Sequence, residues 1–269
     1  MPQISAICTE RVLPFEKTEN FRQLGGYRTK DGRQVRFGLL YRSGALADAV
    51  HTPHDKALLQ SLGLRVVCDF RSASERSYKP DPELPGVIRQ DIAAIRDSGG
   101  RDVNFDIASF FTMTADQLAQ VLHQVQSSYA SLPFDNPAYQ GMFAYLLNGK
   151  APLLFHCTAG KDRTGVAAAL LLLLALGVPR KDVVEDYLLT NPCRAATRAA
   201  LRENFSAHFD TADPRRERIV EVFTGVSAEN LQLALDAIDR AYPTFEAYLQ
   251  DQYNINAAAL CRLRQMYLE

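Results

Sequence analysis

The stretch Ala151-Pro152-Leu153-Leu154-Phe155-His156-Cys157-Thr158-Ala159-Gly160-Lys161-Asp162-Arg163-Thr164-Gly165-Val166 carries the reading of the whole chain. Ala151 to Phe155 is a short apolar run of the kind that forms a buried strand. A long apolar segment begins at Val166 and predicts a buried helix. Between them lies a short loop with a cysteine and an arginine six positions apart. A loop that feeds a helix N-terminus turns backbone N–H groups and a positive dipole end toward an anion. The same field lowers the pKa of a cysteine placed there. Strand, loop and helix therefore describe an anion cradle beside an activated nucleophile, in an α/β fold.

Working outward, the 269 residues suffice for one large domain, and 47% of them are hydrophobic. The net charge of -1 sets up no global field toward nucleic acid or an acidic membrane, so attraction for phosphate must be local. Val166 to Val178 is too short to cross a bilayer, which needs about 20 apolar residues. Residues 1–16 show no basic region followed by an apolar core, so no signal peptide is expected. Five scattered cysteines without a C-x-x-C pair argue against a disulfide framework or zinc site and fit a reducing, cytoplasmic setting. Signal-peptide-independent secretion stays open.

Tyr27-Arg28-Thr29 and Gln34-Val35-Arg36-Phe37 flank Asp31-Gly32 and predict a hairpin. Thr52-Pro53 opens a helix that Gly63 ends, and Leu64 to Phe70 reads as a buried strand with Asp69, Arg71 and Ser72 at its end. Lys79 to Gly100 is mostly loop. Phe105 to Leu147 is helical in pieces, broken at Leu132-Pro133 and Asn136-Pro137. Pro179 opens a helix through Leu189, stopped by Asn191-Pro192. Further helices are expected over Arg194–Phe205, Arg216–Phe223, Ala228–Ala241, Pro243–Gln252 and Ala257–Leu268. The expectation is one domain over 1–269, a central sheet flanked by helices with a helical C-terminal third. Residues of about 98–149 either form a helical lid, with Gly99-Gly100 and Pro133 as hinges, or pack on the sheet.

In the loop, Gly160 allows a turn where a Cβ would clash, and Gly165 allows close approach as the helix begins. None of the other four cysteines has an arginine six positions later. Arg163 can bind two phosphoryl oxygens with its planar fork. Thr158, Ala159, Gly160, Lys161 and Thr164 complete the phosphate-binding set, and the Thr164 hydroxyl is placed to donate to the thiolate. His156 either braces the loop or is a satisfied core histidine. Asp69 is a support candidate, orienting Arg163 or Lys161, and Arg71 a further charged neighbour. His51 and His54 look like a loop and helix-start pair, so no metal or cofactor is expected.

The run His156 to Gly165 resembles the signature of the cysteine-dependent protein tyrosine phosphatase superfamily. It is most similar to the bacterial tyrosine and lipid phosphatase branch with the loop H-C-x-A-G-K-D-R-T-G. Asn20 to Tyr27, Tyr41-Arg42-Ser43-Gly44, and Asp69-Phe70-Arg71-Ser72 with Glu75 also resemble that branch, which usually has Asp where this chain has Gln23. The resemblance implies a metal-free hydrolysis of phosphotyrosine, extending to phosphoserine, phosphothreonine or phosphoinositide monoesters. Cys157 would form a phosphocysteine, and Arg163 and the loop would hold the phosphoryl group. The usual upstream acid is not evident, so Asp162 is the expected proton donor and Asp135 the runner-up. In phosphoinositide phosphatases a lysine at the place of Lys161 binds inositol phosphates, which widens the expected substrates. The rival readings are an inactive phosphate-binding module, a phosphoinositide-only lipid phosphatase, and arsenate or sulfur chemistry with Cys68 as a second thiol.

Overall fold

The structure is a computed structural model that describes residues 10–95, 113–208 and 214–269. Cys8 and the expected hinge at Gly99-Gly100 lie outside the described residues. A five-stranded sheet runs through the middle, in the order β1-β2-β5-β3-β4. The strands are β1 (Arg22–Gln23), β2 (Leu40–Ser43), β3 (Val66–Asp69), β4 (Ile88–Asp91) and β5 (Leu153–His156). Only β1 with β2 is antiparallel. β2, β3 and β5 are buried throughout, as strands covered on both faces must be, and this is why they read as continuous apolar runs.

The register aligns Ser43, Asp69 and His156 at one edge of the sheet. β5 is central there, with β2 and β3 on either side, so the chain segments leaving all three strands converge. In an open α/β sheet this crevice beyond the strand ends is where a ligand is held. The Cys157 loop occupies it and runs straight into the helix Asp162–Ala169, which continues as a π-type turn through Leu170–Ala175. Every residue from Thr164 to Ala175 is buried, which confirms a core helix. Among the described residues no helix is long and apolar enough to cross a membrane.

The helix after Thr52 spans Pro53–Ser61, and the Thr52 side chain accepts from the Asp55 N–H at 3.1 Å. The Asp31-Gly32 hairpin forms, with Val35 N–H bonded to Tyr27 O at 2.9 Å and Gly32 at φ +86°. The helix opened by Pro179 spans Arg180–Leu188 and stops before Asn191-Pro192, as expected. Asn191-Pro192 lies inside a short helix, Thr190–Cys193, because proline is tolerated in a first turn where its missing N–H has no partner to lose.

The helices Ala115–Ser131, Ala195–His208 and Pro214–Thr224 share a small apolar cluster of their own, built on Leu118, Val121, Phe205, Ile219 and Val220. They roof the loop end of the sheet. Helix Pro137–Leu147 packs elsewhere, against β3, β4 and the C-terminal helices Phe245–Tyr253 and Ala257–Tyr267. Of the segment of about 98–149, the described residues 113–149 are thus divided between the roof and the core.

Candidate active site

Cys157 sits 2% exposed at the floor of a cavity of about 490 Å³. Thr158, Ala159, Lys161, Asp162 and Arg163 also line it. Ile95, Val125, Leu201, Val222 and Phe223 give it an apolar lining as well, with Arg194 among them.

The loop is shaped from behind. Asn20 donates its side-chain amide to Ala159 O at 3.1 Å and Gly160 O at 2.9 Å. Arg42 donates to Gly160 O at 2.9 Å, and Ala45 N–H to Thr158 O at 3.0 Å. These bonds pull successive loop carbonyls outward, which leaves the opposite, N–H side of those peptides for an anion. Gly160 has φ +66°, and a Cβ there would lie 2.3 Å from Ser43 O. Glycine is required both by the left-handed backbone and by the contact with β2. At Gly165 a Cβ would meet the Tyr187 ring at 2.5 Å, so the helix can start only by pressing bare backbone on that ring.

Arg42 belongs to a fully buried cluster. Its Nη1 lies 2.6 Å from Asp186 Oδ2, and Arg22 Nε lies 3.0 Å from Asp186 Oδ1. Tyr27 donates its hydroxyl to Asp186 at 3.2 Å, and Arg11 stacks on the Tyr27 ring at 3.8 Å. Burial would raise the Asp186 pKa, but the two guanidinium groups bring it to about 2. Burial and the neighbouring Arg22 push Arg42 down to about 10.

Arg163 is aimed by Glu75, which sequence reasoning placed only within a motif. The two side chains make a bidentate pair at 2.7 and 2.8 Å. Glu75 also accepts from the Thr158 hydroxyl. Its own position is set by a capping box, with Ser72 N–H donating to Glu75 at 2.8 Å and Glu75 N–H to Ser72 Oγ at 3.2 Å. Burial opposes ionisation of Glu75, yet Arg163 and Thr158 hold its pKa at about 2. The sequence signal existed: Ser72-x-x-Glu75 after a strand is a helix start that points a carboxylate backward.

Asp69 does not reach Arg163 or Lys161. It binds Arg71 through Nε at 3.0 Å and Nη2 at 2.7 Å, and Arg71 also pairs with Asp81 at 2.9 Å. Arg71 is 1% exposed and is absent from the cavity wall. His156 is fully buried with Nε2 3.0 Å from Asp81 Oδ2, an ion-pair distance without hydrogen-bond geometry, and Nδ1 3.2 Å from Cys157 O. Burial would lower the His156 pKa, but Asp69 and Asp81 hold it above the ordinary value. It braces the strand end beneath Cys157. Asp69, Asp81 and His156 bring potential ligand atoms within 4.8 Å of one another. Arg71 already supplies the cation that those carboxylates face.

Asp162 lines the cavity and accepts from the Tyr129 hydroxyl, which lies 2.7 Å from the Tyr187 hydroxyl. Burial, with Asp162 beside it, pushes the Tyr129 pKa well up, so Tyr129 stays a neutral donor. Asp135 is exposed at φ +45°, gives its N–H to Gln252 at 2.6 Å, and does not line the cavity. Lys161 Nζ is 3.5 Å from Asp162 but is spent on backbone: it donates to Val222 O at 2.7 Å and to Phe223 O and Gly225 O at 3.2 Å. It caps the end of the roof helix Pro214–Thr224 with charge of the favourable sign. The buried Thr164 hydroxyl has no hydrogen-bond partner among the described residues, Cys157 included. Gln23 bridges Gly38 N–H at 3.0 Å and Glu10 O at 3.2 Å, away from the cavity.

The chain matches the model of a family described as "Tyrosine phosphatase family" over residues 13–269. A Cupriavidus necator protein named "Putative tyrosine-protein phosphatase" is 35% identical over 263 residues, which is 96% of this chain and 90% of that one. The "Triple specificity protein phosphatase PtpB" of Mycobacterium tuberculosis is 30% identical over 274 residues, 93% of this chain and 96% of its own. Among solved structures, P. aeruginosa TpbA aligns over 76% of this chain and 89% of its own, at 18% identity and a TM-score of 0.30.

Proposed function

The chain belongs to the tyrosine phosphatase family, and from that premise we propose how this site hydrolyses a phosphoric monoester. The observation that carries the proposal is the Arg163 guanidinium, clamped by Glu75 at 2.7 and 2.8 Å above a buried Cys157. A guanidinium fixed on one edge presents its remaining N–H groups to two phosphoryl oxygens.

Cys157, as the thiolate, attacks phosphorus along the loop axis. The loop N–H groups and Arg163 hold the oxygens as charge shifts onto them. The P–O bond to the leaving group breaks, and Asp162, when protonated, gives that oxygen its proton. Water then attacks the phosphocysteine, with Asp162 taking the proton and the thiolate leaving. The chain Tyr187–Tyr129–Asp162 keeps the carboxyl turned into the cavity.

The substrate is an aryl phosphomonoester, phosphotyrosine first. The apolar lining of the cavity suits an aromatic ring standing on its phosphate. The name of the M. tuberculosis relative, a triple specificity protein phosphatase, supports a range beyond one specificity; phosphoserine, phosphothreonine and phosphoinositide monoesters are the further substrates of this reading. Unbridged thiols at Cys68, Cys157 and Cys261 fit a reducing cytoplasmic compartment, and one catalytic domain over 1–269 fits a family match over residues 13–269.

Turnover of para-nitrophenyl phosphate, lost in Cys157→Ser, separates an enzyme from an inactive binding module. Asp162→Asn is expected to keep para-nitrophenyl phosphate turnover within about tenfold and to cut alkyl phosphate turnover ~10²–10⁴-fold. Equal losses on both substrates would remove Asp162 from the acid role.

A further inference from the structure

A second cavity, of about 320 Å³, opens beside the first, and Val222 lines both. Three arginines border it: Arg198, Arg202 and Arg218. Arg194, Arg198 and Arg202 recur every fourth residue, so they share one face of the segment leading into and along helix Ala195–His208. Arg194 lines the Cys157 cavity and the other two line the second one, which joins the cavities by a row of guanidinium groups.

Three of the four arginines in this region have carboxylate partners. Arg194 pairs with Glu19, Arg202 with Glu217, and Arg218 with Glu221. Arg198 has none among the described residues, and its buried Nε lacks any hydrogen-bond partner. Burial and the nearby Arg202 and Arg194 push its pKa below the ordinary arginine value. Its guanidinium lies flat on Gly225, where a Cβ would come within 2.9 Å of Nη2.

The opposite wall is the start of helix Ala228–Ala241, whose cap residue Ser227 gives no side-chain hydrogen bond to the first turn. The Asn230 N–H donates to Ser227 O at 3.1 Å, and the Glu229 carboxylate stands in the same first turn, so the helix start adds no free donor to this space. Asn230 points a further polar group there. It is 3% exposed, lines the cavity, and its amide is bonded to no described residue. An amide that opens only into the cavity is satisfied by what fills it, water or a ligand. Arg198, without a carboxylate partner, and the Asn230 amide open into a small cavity where three arginines face one carboxylate, Glu221, and this excess suits a compact oxyanion with several acceptor oxygens.

We propose that this cavity is a second phosphate-binding site, held by Arg198 and Asn230, adjoining the Cys157 cavity. Its occupant is either free phosphate or a second phosphate of the substrate. The latter assignment rests on the phosphatase reading, and the site itself does not.

Inorganic phosphate is titrated calorimetrically into two forms with the loop site removed: the wild type saturated with vanadate, and Arg163→Met. Each is expected to bind one phosphate per chain, about tenfold or more weakly after Arg198→Gln or Asn230→Leu. No binding in either form, or binding that both substitutions leave unchanged, overturns the proposal. Loss of turnover in every form would overturn the catalytic reading and leave this titration intact. A second arm compares kcat/KM for inositol 1,4-bisphosphate and inositol 1-phosphate. A preference for the bisphosphate that Arg198→Gln removes, with para-nitrophenyl phosphate turnover unchanged, identifies the substrate as the source. Binding without such a preference identifies free phosphate.

Discussion

Two buried ionic clusters flank the strand that leads into Cys157, and they distribute charge differently. On the β2 side one carboxylate, Asp186, serves two guanidinium groups, Arg22 and Arg42. On the β3 side two carboxylates, Asp69 and Asp81, share Arg71, His156 and the half-buried Arg89. The first cluster leaves a positive excess directly behind Gly160, whose carbonyl Arg42 holds at 2.9 Å. The second is redundant, since Arg71 keeps a carboxylate if either one is removed. One cluster contributes field and loop shape; the other contributes a frame that holds the strand ends together. Buried ion pairs are not stabilising by default, because desolvation offsets the attraction. Their value here lies in geometry, and their fragility depends on how many partners each charge has.

The largest expected effect follows from that difference. Asp186→Asn strands two buried guanidinium groups at once and is expected to cost ~3–5 kcal/mol of stability. Asp69→Asn leaves Arg71 with Asp81 and should cost only ~1–3 kcal/mol, the range for one unsatisfied buried partner. Urea unfolding of the two variants measures both. Equal losses would break the comparison, because redundancy would then have no consequence. Asp69→Asn should also lower kcat modestly, since His156 and Cys157 O lie on the same frame.

Where the sequence was readable, the signal was local. Strand, loop and helix around Cys157 follow from periodicity, Gly160 and the spacing to Arg163, and the family resemblance followed from the same ten residues. The partners of those residues were not readable, because they come from far along the chain. Arg42 and Asp186 are 144 positions apart, and Tyr129 meets Asp162 across 33. Asp69 looked like the residue that aims Arg163, being a charge at a strand end. The fold gives that task to Glu75, because a capping box turns the Glu75 carboxylate back toward the loop. Lys161 looked like a substrate ligand because of its place in the motif. Only the packing of helix Pro214–Thr224 over the loop shows three carbonyls already around its ammonium.

The smallest effect is the one that tests the charges themselves. His156 has a raised pKa in the fold, opposed by burial and maintained by Asp69 and Asp81. A raised pKa stabilises the fold fully below the unfolded value, about 6.5, and the contribution is lost as pH rises through the folded value. Asp186 behaves in the opposite sense. Its pKa of about 2 lies below that of an unfolded carboxylate, so its contribution is present at neutral pH and lost only as pH falls toward 2. As pH rises from about 6.5 through the raised folded value, therefore, the β3-side cluster should weaken while the β2-side cluster stays constant. The stability gap between wild type and His156→Gln should narrow across that range, and the gap between wild type and Asp186→Asn should not. If the His156 gap is flat, the ring is neutral in the fold. Arg71 and Arg89 then balance Asp69 and Asp81, and only the β2-side cluster carries an excess charge.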